Sequence, residues 1–296
     1  MNNMMKIQLA SLFLISANHA SALEIVELEQ ASQFNLVVFE DFAPPRYSSF
    51  TNAIAVGGNM AVNDYGFAAE VPADSPSISA YIGGDFSYQQ GRIFGGSVLV
   101  GGTAQGVVQS VRNTLSDDQL IVDDVDVGID FDAWQLSLQN KSLSYSQISP
   151  NGQAEFKWGS SYFLTGDCES DLQVFNIDGS FLSQTREFRL ECIPEGAALL
   201  FNVSGAQTGI RYVSTNVFLP FQEKTLFNFY EATQLGFRYT EIHASVLAPF
   251  ADVTEATGEF YGTAIANSWS GPMTLKWMPF EGYNANIEDC EGPAAN

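Results

Sequence analysis

Few side chains in this sequence of 296 residues can move protons, attack carbonyls or hold metals in a recognisable pattern. Of two histidines, His19 lies in an N-terminal segment expected to be removed, which leaves His243. One histidine excludes two-histidine zinc motifs such as H-E-x-x-H. A Ser-His-Asp triad would have to use His243, yet that residue sits in EIHASVLAP beside an apolar run, and the chain has no G-x-S-x-G elbow. His243 is therefore expected to be a satisfied structural or surface histidine, since no neighbouring base and nucleophile are evident.

Carboxylates are abundant instead. Asp117 to Asp132 holds seven aspartates and no basic residue, which would suit calcium. Neither the EF-hand spacing nor the G-G-x-G-x-D repeat is present, and oxygen ligands must converge in space for tight binding. A solvated acidic face is the expectation, with calcium as the alternative. With 34 acidic residues against 12 basic ones and a net charge of −22, nucleic acid and anionic membrane surfaces are poor partners on electrostatic grounds. No catalytic, cofactor-binding or metal-ligating residue is assigned, because a general acid needs a raised pKa and a partner at a set distance, and abundance supplies neither.

The three cysteines are read with the chain's destination. Met1 to Ala22 carries one positive charge at Lys6, an apolar run from Ile7 to Ile15, and Ala20-Ser21-Ala22 in an A-x-A arrangement. This reads as an export signal (residues 1–22) cleaved after Ala22. The apolar run is shorter than the roughly 20 residues that span a bilayer, and no later stretch is apolar enough to do so. Export permits disulfides. Cys168 and Cys192 flank a compact block and are the candidate pair, while Cys290, in a polar tail over 283–296, is either a free thiol or an intermolecular link.

The elements that must position these residues are mostly strands. From Phe34 to Val111, short runs (FNLVVFEDF, AIAVGGNMAV, ISAYIGGDFSY, GRIFGGSVLVGGT) are broken by glycine pairs, as expected of strands and tight corners at which glycine adopts positive φ. Asp130 to Ile148 predicts one helix. Phe131, Trp134, Leu138, Tyr145 and Ile148 share a face, Lys141 interrupts it, Asp130 is the N-cap and Pro150-Asn151-Gly152 the stop. Beyond it, EFKWGSSYFLTG, LQVFNIDGSFL, EFRLECI, ALLFNVSG, IRYVSTNVFLPF and LFNFY predict further strands. Glu241-Ile-His-Ala-Ser-Val-Leu-Ala248 aligns with Glu259-Phe-Tyr-Gly-Thr-Ala-Ile-Ala266 at an offset of 18 residues, enough for one coil of three short strands. Such coils are stable only when stacked.

FNLVVFEDF with AIAVGGNMAV, then VGIDFDAWQLSL, ALLFNVSG and LFNFYEAT, and finally SVLAPFADVTEATGEFYGTAIANSWSG with MPFEG, resemble the choice-of-anchor A domain of bacterial secreted and surface proteins, from about Phe34 to Gly282. The resemblance implies a mainly β fold: a right-handed parallel β-helix with one α-helix alongside, similar to ice-binding-like adhesive domains, forming a single domain over 23–282. It also implies a non-catalytic adhesive role toward a cell surface, a glycan or matrix polymer, or a protein ligand. With no LPxTG-type signal, terminal apolar segment or basic tail in view, the expectation is a released extracellular protein or one held by a partner.

Two activities of similar folds remain as alternatives. A polysaccharide-acting enzyme would use paired carboxylates, and a structural matrix component would assemble, for instance through Cys290. Ice binding would need a threonine ladder at coil spacing. Thr263 aligns with Ser245, but no long Thr-x-Thr array accompanies them. Trp269, Trp277, Tyr283, Tyr88 and Tyr65 could stack on sugar rings if exposed, although packing is the expectation for each.

Overall fold

The computed structural model describes residues 25–72 and 77–285. The export signal, the cleavage position after Ala22, and Cys290 lie outside the described residues. The protein is mainly β, and nearly all its strand pairs are parallel. Strands Phe34–Val38, Ala53–Val56, Ile78–Ile82, Ser97–Val100 and Ile121–Val122 form a continuous parallel ladder. Met60–Val62, Phe86–Tyr88 and Gly106–Val107 form a second ladder, and Ser48–Ser49, Tyr65–Phe67 and Gly91–Ile93 a third. The chain thus lays down three short strands per coil and stacks each on its counterpart in the next.

The coils are not stacked in sequence order. Phe34–Val38 is flanked on one side by Ala53–Val56 and on the other by Ala264–Trp269, with Val37 opposite Ile265, so strands from near the two ends of the chain meet in the middle of the large sheet. One half of the chain builds outward from that seam to Ile121–Val122. The other half starts at the opposite end with Leu172–Asp178 and returns through Ala198–Ser204, Thr225–Asn228 and Ser245–Tyr261.

The helix Phe131–Tyr145 runs between the two halves along the sheet's outer face. Its 15 residues span about 22 Å at 1.5 Å each. It reaches from beside Gly57, where Phe131 packs, to Asn202 in Ala198–Ser204, and the five strand steps between them measure about 24 Å. Asp130 Oδ1 accepts from Ala133 N at 3.0 Å, as expected of the N-cap. At the other end, asparagines of the sheet add donors to carbonyls of the last turn: Asn202 Nδ2 donates to Tyr145 O at 2.8 Å and Asn228 Nδ2 to Ser142 O at 2.9 Å. Trp134, Leu138 and Tyr145 are buried against Val37, Leu200, Leu226 and Leu247. Lys141 pairs with Glu27 and Glu29 at 3.2 and 2.8 Å, clamping the N-terminal segment over the helix. Burial disfavours its charge, but hydrogen bonds to these glutamates and the Tyr145 hydroxyl nearby raise its pKa overall.

A larger apolar core fills the inside of the coils. Phe175, Phe201 and Phe227 occupy equivalent positions on three neighbouring strands, with centroid separations of 5.3 and 4.7 Å. The 18-residue repeat is one such coil: Glu241, Ile242 and His243 pair with Glu259, Phe260 and Tyr261. Val246, Leu247 and Ala248 pair with Ala264, Ile265 and Ala266.

Four expectations need correction. The helix ends at Tyr145, three residues short of Ile148, and single turns also form at Gln109–Arg112 and Gly179–Leu182. NVFLPF does not continue as a strand but begins a 3-10 segment, Asn216–Lys224, because Pro220 cannot donate to a ladder and Phe218 and Phe221 turn inward three residues apart. Of the glycine pairs, only Gly96 takes positive φ. Elsewhere close approach requires glycine: a Cβ on Gly83 would lie 2.3 Å from Gly57 O, and one on Gly101 2.5 Å from Gly83 O. The polar tail expected from residue 283 begins within a strand pair, Ile25–Val26 with Tyr283–Asn284.

Candidate functional site

The sugar-stacking candidates named from sequence are not the exposed rings. Tyr65, Tyr88 and Trp269 are core residues, and Trp269 Nε1 donates to Gly271 O at 3.0 Å. Burial raises the pKa of both tyrosine hydroxyls well above the usual range. Trp277 and Tyr283 are half-buried, and Trp277 Nε1 donates to Ser32 O at 3.1 Å. Ser245 and Thr263 are buried too, with Thr263 N donating to Ser245 Oγ at 3.1 Å, so this pair contributes nothing to an exposed ladder.

A stacked pair of exposed rings lies on another corner. Strands Gln207–Arg211 and Gln234–His243 run parallel with Arg211 opposite Arg238, and the next residues, Tyr212 and Tyr239, turn outward at adjacent levels. Tyr212 N donates to Arg238 O and Tyr239 N to Thr257 Oγ1, each at 2.8 Å. Both tyrosines are left-handed, with φ of 57° and 49°, a conformation unusual for bulky residues. Their rings stack at 5.6 Å and 30°, and 49% and 62% of their surfaces remain exposed. The Arg238 guanidinium lies 5.9 Å from the Tyr212 ring and 5.6 Å from that of Tyr239, and Arg186 lies 5.5 Å from Tyr212 on the far side. The sequence signal was present: Gly209-Ile-Arg-Tyr212 and Gly236-Phe-Arg-Tyr239 are the same pattern one coil apart.

Beside the two rings runs a shallow groove of about 620 Å³, bordered by Ser214, Thr240, Glu241 and Glu259. Glu241 accepts from Ser214 Oγ at 3.0 Å and lies 3.3 Å from His243 Nε2. Glu259 accepts from Tyr261 Oη at 2.6 Å and Lys276 Nζ at 2.9 Å, and these bonds hold its carboxyl below the usual range. A general acid needs the opposite shift. His243 is buried, stacked on Tyr261 at 4.6 Å, with Nδ1 3.3 Å from Gln222 Oε1. It packs the groove wall and faces no serine nucleophile among its hydrogen-bond partners.

The aspartate-rich stretch is engaged locally. Asp123 Oδ2 accepts from Ala104 N, Asp126 Oδ1 from Gly128 N and Asp130 caps the helix. Among the described residues, no group of three or more His, Cys, Asp or Glu side chains is placed to hold a metal ion. Cys168 and Cys192 form a disulfide, as expected from sequence, with Cα atoms 4.5 Å apart. Among the described residues no helix is long and apolar enough to cross a membrane.

The scaffold is mainly β, built of stacked parallel ladders, with aromatic and guanidinium groups exposed at one corner. The chain belongs to the family described as "Putative Ice-binding-like adhesive domain", whose model matches residues 27–277. That match supports the adhesive part of the sequence resemblance and does not carry the choice-of-anchor A label. No curated protein matches the chain. Among solved structures, an ice-binding protein from the Antarctic ascomycete Antarctomyces psychrotrophicus is similar at 11% identity and a TM-score of 0.39, covering 88% of this chain and 100% of that one. An ice-binding protein from an Antarctic biological consortium is similar at 10% identity and a TM-score of 0.38, covering 93% and 95%.

Proposed function

We propose that this protein is an exported, non-catalytic adhesive module of the choice-of-anchor A type, processed after Ala22 and acting at the outside of a bacterial cell. Its coils are proposed to wind as a right-handed parallel β-helix, and its adhesive surface to be the Tyr212–Tyr239 corner. The observation that carries this reading is the stacked, exposed tyrosine pair held in left-handed backbone conformations. Residues in such conformations cost about 1–3 kcal/mol each, persist where the surrounding structure holds them, and cluster at functional sites. Rigid, amphipathic rings with guanidinium neighbours are also what binding hot spots are made of.

The alternative of a polysaccharide-acting enzyme would draw on Glu241 and Glu259, which face each other across adjacent strands. The lowered pKa of Glu259 suits a fixed carboxylate, not a proton donor. Purified residues 23–296 should be retained on at least one surface in a panel of glycans, matrix proteins and intact cells, without releasing product. Tyr212→Ala with Tyr239→Ala should reduce retention about 10-fold or more, the scale of losing one hot spot. Retention unaffected by the double variant would remove the site, and turnover of any glycan would remove the non-catalytic reading.

A further inference from the structure

The tyrosine corner is the middle of a longer ridge. Arg186 N donates to Ser160 O at 2.7 Å, and Arg186 Nη1 to Arg211 O at 3.2 Å, so the hairpin turn bearing Trp158, then Arg186, Tyr212 and Tyr239, occupy successive levels along one edge. Parallel neighbours are about 4.8 Å apart, so the ridge rises in regular steps. Trp158 is 73% exposed, also left-handed at φ 55°, and packs edge-on to Phe163 at 4.9 Å, with Arg189 5.3 Å from its ring.

Charge on this edge is more balanced than on the rest of the protein. The chain has 12 basic residues against 34 acidic ones, yet five of the twelve (Lys157, Arg186, Arg189, Arg211 and Arg238) gather here. Lys157, Arg189 and Arg211 have carboxylate partners in Glu155, Glu187 and Glu255. Arg186 and Arg238, which flank the stacked tyrosines, have no carboxylate partner among the described residues and present their guanidinium groups to the ring faces. A guanidinium can pair with a carboxylate in a two-pronged geometry while the aromatic face beside it covers a sugar ring. Glu241 and Glu259 on the groove floor would repel an anion, although Ser214, His243, Tyr261 and Lys276 engage them, so an anionic chain is confined to the ridge above the groove.

Resting on the adhesive reading above, we propose that this ridge binds a linear polysaccharide rich in uronic acids, laid along the stacking direction, with sugar rings on Tyr212, Tyr239 and Trp158 and carboxylates on Arg186 and Arg238. The regular step offers one aromatic or cationic group per level to a polymer with its own short repeat. Net negative charge elsewhere disfavours any other docking of a polyanion.

The test is calorimetric titration of residues 23–296 with polygalacturonate, its fully methyl-esterified form, a neutral β-glucan and polyglutamate. Binding is expected for polygalacturonate alone, weakening with added salt. Arg186→Gln and Arg238→Gln should each weaken it about 10-fold, and the Tyr212→Gly/Tyr239→Gly double variant should abolish it with no loss of thermal stability. Equal binding of the methyl ester, or equal binding of polyglutamate, would overturn the uronate assignment. Tyrosine-dependent binding of the neutral glucan or of cells without polygalacturonate binding would also overturn it while leaving the adhesive reading intact. If none of these ligands binds and cells are not retained, both fail.

Discussion

The corners of the two halves solve the same geometric problem in opposite ways. In the first half, Gly57, Gly83 and Gly101 stack at one corner so closely that any side chain would strike the carbonyl of the level below. The neighbouring polar column locks them in place: Asp41 Oδ1 accepts from Asn59 N, Asn59 Oδ1 from Asp85 N, and Asp85 Oδ1 from Thr103 N, at 2.7 to 2.9 Å. There the backbone dictates the residue. In the second half, Tyr212 and Tyr239 occupy left-handed positions at which glycine or asparagine would fit at lower cost. The residue is held against the backbone's preference, and on the proposed function the difference separates a corner kept for folding from one kept for binding.

The largest effect should come from the glycine column. Gly83→Ala places a Cβ 2.3 Å from Gly57 O with only backbone to give way, so it should destabilise by about 3 kcal/mol or more, read as a lowered denaturant midpoint. A mild effect would mean the corner is looser than its geometry shows. A third corner is tied covalently by Cys168 and Cys192, 24 residues apart. Removing both sulfurs in Cys168→Ala/Cys192→Ala should cost about 3 kcal/mol through the unfolded chain's regained freedom, and denaturation with and without reductant would show it.

Tyr239→Gly should have the reverse sign. Relief of the left-handed strain should leave stability unchanged or raised by about 1 kcal/mol, while surface retention falls. A clear loss of stability would place Tyr239 among the structural corners and break the comparison. The smallest effect concerns Asp167, beside the disulfide. Its carboxylate accepts from Ser170 Oγ, from Gln173 Nε2 at 2.6 Å, and from the backbone N–H groups of Ser170 and Glu169, which together hold its pKa well below the carboxylate range. A folded pKa below the unfolded one means that stability is present above about pH 4 and is lost as pH falls through the folded value. Melting temperature should decline below about pH 4, and Asp167→Asn should flatten that decline.

Much of the fold was legible because it rests on local signals. Alternating apolar runs between glycines marked the strands, Asp130 and the Trp134-Leu138-Tyr145 stripe marked the helix, and the 18-residue repeat gave one coil in correct register. The order of stacking was not legible. Pairing Val37 with Ile265 joins residues 228 positions apart (265 minus 37), and no local pattern carries so distant a contact. The site was missed for a related reason. Trp269, Tyr65 and Tyr88 match Tyr212 and Tyr239 in type, and what separates them is direction: the first three point into the coil, the others leave it at corners with positive φ. The repeated G-[IF]-R-Y held that information, but reading it required knowing that the two copies lie on adjacent levels.

The most direct test of this account is a paired measurement on Tyr212→Gly/Tyr239→Gly in residues 23–296: melting temperature and retention on whichever surface the unmodified protein binds. The account predicts a melting temperature equal to or above that of the parent and a retention reduced at least about 10-fold, the scale of a lost hot spot. A lowered melting temperature with retention unchanged would contradict it.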